Sequence, residues 1–127
     1  MDFIGKETCS TYYDYTDTDA FENLYCDIYI DDPIVLFKNR LNESRSIVII
    51  DEKHINYSLY KKYSRKYRVA EIANISIEGS TMQVEGFIPY IYCLRYWLGY
   101  GLKIEIKNLE IIESILSLKL PSDLLYK

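Results

Sequence analysis

The chain has 127 residues, enough for one domain whose core needs no disulfide or metal to hold it. Apolar residues at 49% and charged residues at 27% exclude an intrinsically disordered chain, and a net charge of −4 with a pI near 5.0 argues against a nucleic-acid binder. The start, Met1-Asp2-Phe3-Ile4-Gly5-Lys6-Glu7, has no signal-peptide pattern, and the longest apolar stretch, Phe87 to Leu98, is too short to span a membrane and contains Arg95.

Residues 1–23 are polar and acidic without a clear period, and residues 1–30 read as a loosely held acidic arm ahead of a single domain over 31–127. The charge is polarised. Residues 1–32 hold nine acids and one lysine, whereas 53–68 hold six bases and no acid. Such asymmetry suits an arm that docks on its own basic helix, a basic face offered to a partner, or simply a solvated helix face. Asp27-Ile28-Tyr29-Ile30-Asp31 alternates weakly before Asp32-Pro33 breaks the chain, and Ile34-Val35-Leu36-Phe37 reads as a strand. After a polar loop over 39–46, Ile47-Val48-Ile49-Ile50 predicts a strand buried on both faces, because four β-branched residues run together.

A helix is predicted over 56–68, with Leu59, Tyr60, Tyr63 and Tyr67 on one face and Lys61, Lys62, Arg65 and Lys66 around the others. Ile72 to Ile77 alternates as a strand and ends at Gly79-Ser80. Pro89 suits a first helical turn, and Phe87, Tyr90, Ile91, Leu94, Trp97 and Leu98 fall on one helical face that Gly99 and Gly101 would close. Leu102 to Lys107 alternates as a half-exposed strand. Asn108 then caps a helix with apolar positions at Leu109, Ile112, Ile115 and Leu116, broken at Leu120-Pro121.

Catalytic chemistry finds little footing. No phosphate-cradling glycine cluster and no nucleophile elbow is present. Cys9, Cys26 and Cys93 are widely spaced and odd in number, which reads as reduced thiols in a cytoplasmic or nuclear protein. The lone His54 has no histidine partner, so neither a metal nor a cofactor is expected. Cys93 with His54 is a formal nucleophile pair, but Cys93 sits amid apolar residues and reads as a small buried hydrophobe. Glu105-Ile106-Lys107 matches the E-x-K tripeptide of metal-dependent nucleases, yet no aspartate occurs between Asp51 and Asp123 to supply the second carboxylate. Asp14, Asp17 and Asp19 lack the glycine of a calcium loop. The run from Lys61 to Arg68 offers cations and tyrosines for phosphates and bases, against which stand the acidic chain and the packing role of those tyrosines.

The order of the predicted elements resembles the BTB/POZ superfamily, which includes elongin-C-type cullin adaptors. Asn56, Leu59, Tyr60, Ser64 and Tyr67 fall at the spacings of its His-x-x-(Val/Ile)-Leu-x-x-x-Ser-x-x-Phe hairpin. Phe87 to Leu98 is similar to its later helix, and Leu120-Pro121-Ser122 to its (Ile)-Pro-Ser. The family's histidine is Asn56 here, and its Tyr-Thr-Gly appears only as Leu98-Gly99-Tyr100-Gly101. The resemblance implies an α+β fold, a small sheet with helices packed at one end. It also implies a non-enzymatic protein–protein interaction module, self-associating as a homodimer or acting as adaptor or competitor in a cullin-type ubiquitin-ligase assembly. Tyr60, Tyr63, Tyr67, Tyr90 and Trp97 are then the interface candidates, since Tyr and Trp dominate hot spots. Two alternatives stand beside this reading: a small protein of unrelated fold that blocks a larger assembly through its acidic arm, and a nuclease using Glu105 and Lys107.

Overall fold

The computed structural model describes residues 1–15, 19–31, 33–51, 57–89, 99–118 and 125–126. Among them, in chain order, are strands β1 (Asp2–Asp14), β2 (Asp19–Asp31), β3 (Ile34–Asn39) and β4 (Ile47–Asp51), then helix α1 (Tyr57–Ser64). Strands β5 (Arg68–Glu78), β6 (Thr81–Pro89) and β7 (Gly99–Ile106), helix α2 (Leu109–Leu116) and the short strand β8 (Leu125–Tyr126) follow.

Seven strands close on themselves in the order β4-β3-β2-β1-β7-β6-β5, with β4 returning to β5, so the protein is a β-barrel. This overturns the α+β, BTB/POZ-like architecture: the sheet is the body of the molecule, and the two short helices among the described residues are accessories to it. All neighbours around the ring are antiparallel except β4 and β5, where Ile47–Asp51 runs parallel to Arg68–Ile72. A parallel step needs a crossover rather than a hairpin, and α1 lies in that connection. Beyond Ile72, β5 leaves β4 and pairs at Ile75 and Ser76 with β8.

The acidic segment is no arm. Residues 2–14 and 19–31 form the longest hairpin, paired continuously from Asp2 opposite Ile30 to Asp14 opposite Asp19 apart from a bulge between Phe3 and Gly5. Gly5, at φ +147°, provides the backbone freedom at that bulge, and a side chain there would press on Ile111.

The barrel interior is one apolar cluster. It takes Cys9 and Tyr13 from β1, Leu24, Cys26 and Ile28 from β2, Phe37 from β3, and matching residues from the other strands. The β-branched run of β4 is buried throughout, for the reason its composition suggests. Ile47 and Ile49 point into the barrel, while Val48 and Ile50 join Ile34, Leu36, Val69 and Tyr63 in a second cluster beneath α1. On β5 a bulge at Ala73 switches the inward set from Ala70 and Ile72 to Ile75 and Ile77. Gly86 on β6 lies opposite, where any side chain would collide with the Glu71 carbonyl oxygen.

Helix α2 plugs one end. Asn108 caps it as expected, accepting from the Glu110 and Ile111 amides at 3.0 and 3.3 Å, and its own amide donates to Glu7 Oε2 at 2.6 Å. Ile111, Ile112 and Ile115 enter the core, whereas Leu109, expected on the apolar face, is exposed. The expected helix over 56–68 is shorter, Tyr57–Ser64. The helix placed over 87–98 is corrected in its first turn, since Phe87 to Pro89 end β6; residues 90–98 lie outside the described residues. Gly99 and Gly101, expected to end a helix, instead open β7.

Candidate interaction surface

The outward residues of β2, β1, β7 and β6 form rows across the barrel wall. One row is Phe21, Tyr12, Lys103 and Glu85; the next is Asn23, Ser10, Glu105 and Gln83. On the hairpin, Phe3, Tyr12, Phe21 and Tyr25 are exposed by 52%, 40%, 54% and 37%. Tyr12 and Phe21 pair at 5.0 Å between ring centroids, and Phe3 packs edge-on against Tyr29 at 5.5 Å. Between the two pairs lie Thr8 opposite Tyr25 and Ser10 opposite Asn23, and then the charged pair Lys6 and Asp27, the latter bridged to Arg40 at 3.4 Å. The Lys103 ammonium sits 5.4 Å from the Tyr12 ring centre, a cation–π contact. Beside it opens a shallow cleft of about 640 Å³, lined by Tyr12, Asp14, Asp19, Glu85, Gly101 and Lys103 among others.

The barrel end opposite α2 is closed by polar groups. Glu22 accepts from Arg45 Nη2 at 2.8 Å, Arg45 Nε at 3.2 Å and Arg68 Nη2 at 3.2 Å, and the Tyr13 hydroxyl donates to it as well. Arg68 Nη1 donates to the Tyr13 hydroxyl at 3.0 Å, and its Nη2 also donates to the Arg45 carbonyl. Arg45 belongs to a 3-10 turn, Glu43–Arg45, between β3 and β4, so the network ties that loop to β1, β2 and β5. Burial works against the Glu22 carboxylate, but bonds from Arg45 and Tyr13 and the two guanidinium charges outweigh it and hold the group below its usual range. Burial, reinforced by Glu22, pushes the Tyr13 phenol up, and burial likewise raises Tyr100, which stacks at 5.7 Å from Tyr13 and 4.7 Å from Tyr15. With four donors on it, Glu22 is committed to holding the fold.

The residues singled out in the sequence scatter. Tyr63 is buried in the cluster beneath α1, and Tyr60 and Tyr67 are partly buried against it. Tyr90 and Trp97 lie outside the described residues, as do His54 and Cys93. Cys9 and Cys26 are buried free thiols; a hydrogen bond with Cys26, together with burial, holds the Cys9 thiol far above its usual range. Glu105 pairs with Ser10 and Gln83, so neither neighbouring strand sets a carboxylate directly opposite it, and Lys107 follows the end of β7. Among the described residues no three His, Cys, Asp or Glu side chains gather around a common point.

Sequence reasoning missed Phe3, Tyr12, Phe21 and Tyr25. Their signal was a run of aromatic and threonine residues on either side of an Asp- and Thr-rich stretch, the composition of a hairpin. No protein-family model matches the chain, and neither the curated proteins nor the solved structures contain a match to it.

Proposed function

We propose that this protein is a non-enzymatic protein-binding module whose docking surface is the outer face of the β1–β2 hairpin and the adjoining β7. One observation carries the reading: four exposed aromatic side chains share this face, Tyr12, Phe21 and Tyr25 around the uncharged Thr8, Ser10 and Asn23, and Phe3 beyond the Lys6–Asp27 pair. Aromatic side chains are enriched at protein interfaces, and large apolar groups exposed together on a polar surface mark such sites. With the BTB-like architecture overturned, the ligase-adaptor expectation loses the resemblance it stood on. The acid-arm alternative changes its form, because the acidic segment is barrel wall.

The test uses the full chain and a Tyr12→Ser/Phe21→Ser variant as baits in lysate, followed by reconstitution with each purified protein that the variant loses. A reconstituted partner should bind the variant at least roughly tenfold more weakly, about 1.4 kcal/mol, while both baits melt at the same temperature. An identical set of captured proteins, bound with identical affinity, refutes the reading.

A further inference from the structure

We propose that this docking face receives the basic helix α1 of a second copy of the same chain, head to tail. The inference rests on the reading of the face as a protein-docking surface and names its occupant.

Two sets of charges on the surface lack salt-bridge partners among the described residues. On α1 and the turn after it, Ser58, Lys61, Lys62 and Arg65 share the exposed side, while Leu59, Tyr60 and Tyr63 face the barrel. Lys66 pairs with Glu43 at 3.0 Å, but Lys61, Lys62 and Arg65 form no salt bridge among the described residues. On the far wall Asp14, Asp19 and Glu85 rim the cleft, likewise without a salt bridge among the described residues.

The barrel decides how these sets can meet. Around the ring, Asp14 on β1 is three strands from β4, and Asp19 on β2 and Glu85 on β6 are each two strands from it, on opposite sides. Helix α1 is anchored over β3, β4 and β5 by Leu59, Tyr60 and Tyr63, and the hairpin is locked along its length by its pairing. The cleft is therefore centred on the side of the ring away from α1, and no salt bridge joins its acids to the α1 cations within one molecule among the described residues. A second copy brings them together. Lys103 over the Tyr12 ring shows the contact that an incoming cation would repeat on the neighbouring Phe21. Because the two faces differ and oppose each other, the contact is heterologous and propagates instead of closing as a two-fold dimer.

The test is the mass of the full-length protein in solution by sedimentation equilibrium, over a roughly hundredfold range of concentration at low salt. The wild-type average mass should rise past two chains of 15.1 kDa. The helix variant Lys61→Glu/Arg65→Glu and the cleft variant Asp14→Asn/Glu85→Gln should each associate at least roughly tenfold more weakly. Mixed together they should form a one-to-one pair, because the intact cleft of the first takes the intact helix of the second. A wild-type mass that stays at one chain overturns the inference without needing any variant, and so does association that both variants retain. Monomeric wild type combined with a foreign partner lost on Tyr12→Ser/Phe21→Ser defeats this inference alone, leaving the docking reading in place.

Discussion

The polar closure of the barrel can be broken at one atom pair. Glu22→Gln keeps the shape of the side chain and removes its charge, leaving Arg45 and Arg68 to face each other across a neutral amide. Wild-type Glu22 accepts three guanidinium hydrogen bonds of 2.8 to 3.2 Å, and its side chain is only 24% exposed. Hydrogen bonds to charged groups are each worth about 1.5–3 kcal/mol, and the amide oxygen keeps some of them at neutral strength, so a net loss of about 2 kcal/mol is expected at neutral pH. In a chain of this size that lowers Tm by roughly 6–10 °C. The pH dependence carries the sharper test. A carboxylate held below its usual value stabilises the fold fully above its unfolded pKa and stops doing so as the pH falls through its folded pKa. The wild type should thus lose its advantage over Glu22→Gln only as the pH drops below about 4.5, until the two proteins unfold alike. Urea titrations of both proteins at stepped pH measure this, with Glu105→Gln on the open outer face as a control expected within about 0.5 kcal/mol of wild type. A difference between wild type and Glu22→Gln that is absent at neutral pH, or unchanged into acid, would refute the electrostatic account of this closure.

Two packing predictions follow from the same fold. Ile111→Ala removes a fully buried side chain from the α2 plug and should cost about 2–5 kcal/mol in urea unfolding, whereas Leu109→Ala in the same helix should stay within about 0.5 kcal/mol. Gly86→Ala drives a methyl group into the Glu71 carbonyl across the β5–β6 pair and should cost at least about 2 kcal/mol; a variant as stable as wild type would mean those strands are farther apart than described.

Legibility in the sequence followed from how cleanly inside and outside separate. The run from Ile47 to Ile50 announced its burial because both its faces meet apolar neighbours, in the barrel and beneath α1. The Leu102 to Ile106 strand and the Asn108 cap were legible because period and capping chemistry are local signals. The hairpin was hidden for the opposite reason. Inward positions on β1 include Thr11, while outward positions on β1 and β2 carry Tyr12, Phe21 and Tyr25, so polarity does not track the two-residue period there. The aromatics that blurred the strand signal are the ones that make the surface. Phe87 to Pro89 misled similarly, since the helical spacing of the residues that follow drew the end of a strand into a helix. Closure itself has no local signature: it depends on the parallel pairing of Ile47–Asp51 with Arg68–Ile72, segments whose likeness is only that both are rich in branched residues.

The same inside–outside separation directs where binding can occur. Isoleucines from α2 fill one end of the barrel, the Glu22 network ties the other, and the lumen between them is packed with side chains, as small barrels generally are. Away from the hairpin face and the strands beneath α1, the alternation runs apolar-in and polar-out, the reverse of a barrel facing lipid. Among the described residues, three places gather several large apolar or charged groups at the surface: the aromatic hairpin face, the acid-rimmed cleft beside it, and the basic side of α1. The first two are contiguous and the third lies across the molecule, so the wall of the barrel, rather than its mouth, is where substitutions should separate binding from stability.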